Sequence, residues 1–87
     1  MNKILIEYDP FVMESRVFVI KDNKISEGRV SSSLNSLAHN VITQSYSCEI
    51  YDVDVRAPKG IFDKIKKDIM QVEMQTYGLN KINLENV

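Results

Sequence analysis

The chain has 87 residues, of which 44% are hydrophobic and 26% charged, and its formal net charge is −1 at pH 7. This length predicts one domain, and the composition is that of a globular protein rather than a disordered one. A charge so close to zero excludes the overall basic field that attracts nucleic acid or anionic lipid.

Targeting and redox features of the sequence favour a soluble protein of the cytoplasm. The apolar run Ile4–Ile6 near the N-terminus ends at Glu7, so we expect no signal peptide. No stretch approaches the roughly 20 apolar residues of a membrane span. Cys48 is the only cysteine, which excludes an intramolecular disulfide.

The first 21 residues predict two antiparallel strands. Residues 3–8 are rich in branched and aromatic side chains, and they stop at Asp9-Pro10, where proline cannot donate a ladder hydrogen bond. A second run covers residues 11–21. Its core, Val17–Ile20, is apolar on both faces, as expected of a central strand.

A turn, a short strand and a helix should follow. Asp22-Asn23 supply turn chemistry, and residues 24–29 form a third strand interrupted by Gly28. Ser31–Ser33 offer side-chain oxygens to the free amides of a helix over about 33–43. The apolar stripe of this helix has helical spacing and consists of Leu34, Leu37, Ala38 and Val41.

Residues 48–56 alternate cleanly and predict a fourth strand. One face carries Tyr51, Val53 and Val55, and the other carries Ile50, Asp52 and Asp54. Pro58 closes this strand and suits the first turn of a helix.

The clearest helix signal covers about residues 59–77. Its core stripe consists of Ile61, Ile65, Ile69 and Val72, reinforced by Phe62. Gly78 stands where a left-handed cap is wanted, and residues 81–87 alternate as a half-exposed edge strand. The resulting order, β-β-β-α-β-α-β, predicts an α/β (α+β) domain with a mixed sheet of about five strands and two helices, in which the last two strands are parallel.

This element order resembles that of the ribonuclease-H-like fold, shared by RuvC-type nucleases and actin-like ATPases. Ile4-Leu5, Asp9-Pro10 and Val17–Ile20 resemble the first hairpin of RuvC-type domains. In that family an aspartate at the end of strand one helps to hold a divalent metal, and the strand after the first helix often carries the second acid. The resemblance therefore implies a metal site formed by Asp9 with Asp52 or Asp54.

Converging carboxylates would suit this chemistry, because Mg²⁺ prefers hard oxygen ligands and two-metal phosphoryl transfer needs several of them. Asp9 would join Asp52 and Asp54 if the first and fourth strands are neighbours. The simpler interpretation is that Asp9 begins a turn, while Asp52 and Asp54 keep one face of the sheet wet.

A second stripe on the long helix is the most informative surface feature. Met70, Met74 and Tyr77 lie at i, i+4 and i+7, rotated away from the core stripe. Methionine and tyrosine are enriched in interfaces, so the stripe forms either an interface or a contact with the first helix. Residues 11–14 add a smaller apolar cluster, and the terminal strand offers an edge for pairing with a second copy.

Other features predict little chemistry. His39 lies on the polar side of the first helix, without a nucleophile placed beside it by local spacing. The lysines of the long helix alternate with acids and read as a solvated face: Lys59, Lys64, Lys66 and Lys67. Single-stranded nucleic acid would need stacking platforms, for which the candidates are Tyr8, Phe18 and Tyr51.

Two functional hypotheses follow. The preferred one is a small non-catalytic interaction or accessory protein without a cofactor, of the kind found in phages and mobile elements. It would act as a homodimer or bind a protein partner through Met70, Met74 and Tyr77. The alternative is a minimal Mg²⁺-dependent nuclease or nucleic-acid-processing domain that uses Asp9, Asp52 and Asp54.

Overall fold

The computed structural model describes residues 2–26, 29–31 and 33–87 and shows two helices packed on one mixed sheet. The strands are β1 (Lys3–Asp9), β2 (Glu14–Lys21), β3 (Lys24–Ile25), β4 (Arg29–Ser31), β5 (Asp52–Arg56) and β6 (Asn83–Asn86), and the helices are α1 (Leu34–Cys48) and α2 (Lys59–Tyr77). No helix within these described ranges is long and apolar enough to cross a membrane.

The strand order is β3-β2-β1-β5-β6, and β4 also pairs with β2. β1 is antiparallel to β2 and parallel to β5, and β6 is parallel to β5. β3 and β4 both pair with β2 on the side away from β1, so together they correspond to the predicted third strand. The predicted mixed sheet and its element order are therefore confirmed, while Gly28, expected to interrupt the third strand, lies outside the described residues.

The core lies between one face of the sheet and the two helices. Its buried strand residues alternate along the chain: Ile4, Ile6, Val17, Val53, Val55 and Leu84. The helices contribute Leu37, Ala38, Val41, Ile42, Ile65 and Ile69 to the same cluster. The side chains between these strand positions, including Leu5, Phe18 and Asp54, point to the other face, which no described helix covers.

Helix α1 begins where the sequence predicted and ends five residues later than predicted. Ser33 caps it, since its Oγ accepts the Ser36 N–H at 3.2 Å. The helix continues past residue 43 because Ser45 is fully buried and its hydroxyl donates to the carbonyl of Ile50. Glu49, with a left-handed φ of 55°, then ends it.

The longer helix corrects the predicted start of the fourth strand. Cys48 is the last residue of α1 and β5 begins only at Asp52, so residues 48–51 are not strand. Ile50 was expected on the same face as Asp52, but it lies in the turn and is buried. Val53 and Val55 share the buried face, as predicted.

Helix α2 agrees with its prediction at both ends. Pro58 precedes it, and Gly78 follows it with φ 65°, a left-handed value that suits glycine. Ile65 and Ile69 face the core. β6 lies at the edge of the sheet, as predicted.

Candidate functional site

The three predicted acidic residues lie at different heights along the sheet. β1 and β5 are neighbours, and Leu5 pairs in register with Asp54. Asp9 follows Leu5 by four residues, which at the usual strand rise corresponds to about 13 Å. Asp52 lies farther still in the opposite direction. The structure thus brings Asp52 and Asp54 onto one strand face but does not bring Asp9 to them.

Each of these carboxylates has a local surrounding that differs from a metal site. Asp9 accepts the backbone N–H of Phe11 at 2.9 Å and so shapes the turn after β1. Asp54 pairs with the Lys3 ammonium at 2.8 Å, and Asp52 is exposed. Among the described residues, no group of three or more His, Cys, Asp or Glu side chains is arranged to hold a metal. The arrangement therefore does not fit a two-cation site, which needs ions about 4 Å apart.

Adding Mg²⁺ or Mn²⁺ is expected to leave the melting temperature unchanged relative to NaCl of equal ionic strength, because Asp9 and Asp54 are too far apart to share an ion. An ion at about 100 times the Kd of a true site would stabilise the fold by about 2.7 kcal/mol. For a domain of this size the Tm would then rise by about 10 °C or more. Thermal unfolding followed by circular dichroism measures this, and a rise that disappears in Asp9→Asn would restore the nuclease hypothesis.

The second stripe of α2 is exposed. Met70, Met74 and Tyr77 keep 39%, 52% and 46% of their surface accessible, whereas Ile65 and Ile69 on the core side of the helix keep almost none. The stripe also contacts the first helix at one point, since the Tyr77 ring stacks on a tyrosine of α1. The two methionines remain outside that contact as exposed apolar side chains.

An aromatic cluster adjoins this stripe, where the ends of both helices meet the beginning of β5. The rings of Tyr46 and Tyr77 stack with centroids 3.9 Å apart and planes 5° apart. Tyr51 meets Tyr46 edge to face at 5.4 Å, and the Lys81 ammonium lies 5.3 Å from the Tyr51 ring centre. This last distance is within the range of a cation–π contact. We call Met70, Met74, Tyr77 and Tyr46 the Met–Tyr surface.

Glu73 lies beneath the Met–Tyr surface and is completely buried. Its Oε2 accepts the Tyr46 hydroxyl at 2.5 Å and the backbone N–H groups of Lys81 and Ile82 at 3.0 and 3.3 Å. Burial, together with the bond to Glu73, raises the pKa of Tyr46 to about 12. The carboxylate therefore joins α1, α2 and the segment that enters β6, and it holds the Tyr46 ring in place.

Neither Tyr46 nor Glu73 was among the predicted site residues. Glu73 extends the row Ile65–Ile69 by another four residues, and this i, i+4 spacing is the signal that could have found it. Tyr46 lies beyond the predicted end of the first helix, so its helical position relative to Ile42 could not be recognised.

The remaining predicted features are distributed over the surface. Tyr8 and Tyr51 lie on the helix-covered side of the sheet and Phe18 on the other, so the three rings form no common stacking platform. His39 is exposed, as expected. Two of the helix lysines pair with acids at 2.9 Å, Lys59 with Asp63 and Lys64 with Asp68, which agrees with a solvated face.

The turn between β1 and β2 carries the most exposed apolar side chains among the described residues. Phe11, Val12 and Met13 keep 95%, 59% and 68% of their surface accessible. Met13 has a left-handed φ of 55°, and the Asp9 carboxylate holds the Phe11 amide. The predicted small apolar cluster is thus displayed at the tip of a hairpin.

Comparison of the chain with known proteins leaves its family open. Neither the protein-family models nor the curated proteins contain a match to it.

Proposed function

We propose that this chain is a non-catalytic interaction protein that binds a protein partner, or a second copy of itself, through the Met–Tyr surface. The observation that carries the proposal is the exposure of Met70, Met74 and Tyr77 on a helix whose opposite side builds the core. Soluble proteins rarely leave contiguous large apolar side chains in water without a binding role. An accessory protein, such as those of phages and mobile elements, is the kind of protein that this describes.

The two kinds of side chain on the surface contribute differently to binding. Methionine is flexible and polarisable, so Met70 and Met74 can adapt to an irregular partner surface. Tyr46 and Tyr77 are stacked, and the bond to Glu73 fixes the first of them. A fixed ring loses little conformational entropy on binding, which favours affinity.

The kinship with the ribonuclease-H-like fold remains part of this proposal, supported by the element order and by the parallel pairing of β1 with β5. The nuclease function of that family would require Asp9 to meet Asp52 or Asp54. The register of β1 and β5 separates them, so the interaction function is the better supported of the two.

The double variant Met70→Glu/Met74→Glu is expected to abolish association while stability changes by less than about 0.5 kcal/mol, because both side chains are exposed. Light scattering after size exclusion reports self-association, and quantitative capture from the source cells reports a partner. The matched control is Gln71→Glu/Gln75→Glu, which adds the same charge at exposed positions of the same helix. Unchanged mass in solution together with unchanged capture by the methionine variant would refute the proposal.

A further inference from the structure

The sheet face that no described helix covers is divided into two chemically different halves. Its apolar half crosses β1, β2 and β3. Leu5 pairs in register with Phe18, and Ile20 pairs with Ile25. The first three side chains are half-buried, and Ile25 is 66% exposed. These four residues therefore form a continuous apolar area that water reaches.

The other half is acidic and lies on β5 and β6. Asp54 stands between Leu5 on one side and Glu85 on the other in the register, and Asp52 lies on the same face two residues before Asp54. Lys3 is the cation beside them, 2.8 Å from Asp54. The pKa of Lys3 is raised by Asp54 first, with contributions from Glu85 and Asp52, which indicates a negative local field.

The pairing of the strands indicates what kind of element this face accepts. β1, β5 and β6 run parallel, and sheets of parallel strands are normally covered on both faces. Helices cover the faces of sheets, whereas extended peptides add at their edges. The uncovered face is thus shaped for a helix.

A second copy of this chain fits the face poorly. With a two-fold axis parallel to the strands, the apolar half of each copy would face the acidic half of the other, which would bury carboxylates against Phe18 and Ile20. With the axis across the strands, the acidic halves would face each other, and Asp52, Asp54 and Glu85 of both copies would repel. The face therefore requires a partner with a different charge pattern.

Lipid and nucleic acid are also poor occupants. Both present phosphates, which the carboxylates of Asp52 and Glu85 repel. The arginines of this face, Arg16 and Arg56, lie beside Glu7, which is 3.8 Å from Arg56. They are therefore partly compensated and stand apart from the acidic half.

We propose that this sheet face is a docking site for a basic amphipathic helix of a protein partner. The apolar stripe of that helix would pack on Leu5, Phe18 and Ile20, and its lysine or arginine side chains would pair with Asp52 and Glu85. The site is separate from the Met–Tyr surface, so it adds a second binding surface of stated chemistry to the protein.

The test uses two synthetic helical peptides with the same leucine stripe, one with lysine and one with glutamate on the remaining positions. Titration into ¹⁵N-labelled protein is expected to shift amide resonances of β1, β2 and β5 with the lysine peptide and none with the glutamate peptide. The variant Asp52→Asn/Glu85→Gln should weaken binding by roughly two- to thirtyfold, the range expected for two exposed ion pairs.

Three controls make the outcome decisive. Glu49→Gln/Asp63→Asn removes two exposed carboxylates elsewhere and should leave the Kd unchanged. Ile25→Ser should weaken binding without unfolding the protein, because Ile25 is 66% exposed. Met70→Glu/Met74→Glu should bind the lysine peptide normally, so that failure of this site and failure of the Met–Tyr surface are distinguished.

The inference is overturned if the lysine peptide does not bind, or if it shifts α2 rather than the strands. Equal affinity of the Asp52→Asn/Glu85→Gln variant would overturn it as well. A dimer that dissociates in Ile25→Ser, or binding of this face to phosphatidylserine vesicles or single-stranded DNA, would assign the face to another occupant.

Discussion

Replacing Glu73 with alanine is expected to destabilise the protein by about 2–5 kcal/mol, because the backbone N–H groups of Lys81 and Ile82 and the hydroxyl of Tyr46 lose their acceptor inside the fold. Each buried donor left without a partner costs about 1–3 kcal/mol. A small domain has only about 5–15 kcal/mol in total, so the loss is a large part of its stability. Urea unfolding of purified variants measures the difference.

Two milder substitutions show whether the acceptor oxygens are responsible. Glu73→Gln keeps one oxygen and should lose clearly less stability than Glu73→Ala. Glu85→Gln removes an exposed carboxylate and should change stability by less than about 0.5 kcal/mol. If Glu73→Ala were as stable as Glu85→Gln, the bonds of Glu73 would contribute nothing and the anchoring role would be wrong.

Shortening Ile69 to alanine is the second substitution with a large expected effect, a loss of about 2–5 kcal/mol. Ile69 is completely buried on the core side of α2, and its removal takes away apolar contacts and leaves a cavity. Met74→Ala, on the exposed side of the same helix, should cost less than about 0.5 kcal/mol. The pair compares two large apolar residues that differ in the side of the helix they occupy.

Chemical denaturation with a common m-value for the three proteins gives both differences. Similar losses for Ile69→Ala and Met74→Ala would mean that Met74 belongs to the core. The Met–Tyr surface would then be packing within the monomer rather than a binding site.

The elements defined by local chemistry were predictable from the sequence. Helix α2 has a proline before its first turn, a stripe with helical period and a glycine with left-handed backbone at its end, and each signal acts within a few residues. β1 and β2 were equally clear because Asp9-Pro10 separates two apolar runs. The exposure of Met70 and Met74 also followed from the helical period.

The features that depend on contacts between distant residues were not predictable. The end of α1 was missed because a buried hydroxyl of Ser45 and the left-handed Glu49, rather than a glycine or proline, determine it. Glu73 was missed because its partners Lys81, Ile82 and Tyr46 come together only in the folded chain. The register between β1 and β5 decides how far Asp9 is from Asp54, and no local pattern specifies it.

The bonds of Glu73 also affect how the protein opens locally. β6 has four residues and lies at the edge of the sheet, so by itself it would be among the first elements to fray. Its entry segment is bonded to the end of α2 through Glu73, so β6 can detach only if those bonds break as well. Detachment would leave β5, with Val53 and Val55, as an unpaired strand on which other chains aggregate. One buried carboxylate therefore protects the folded chain from amyloid-type growth.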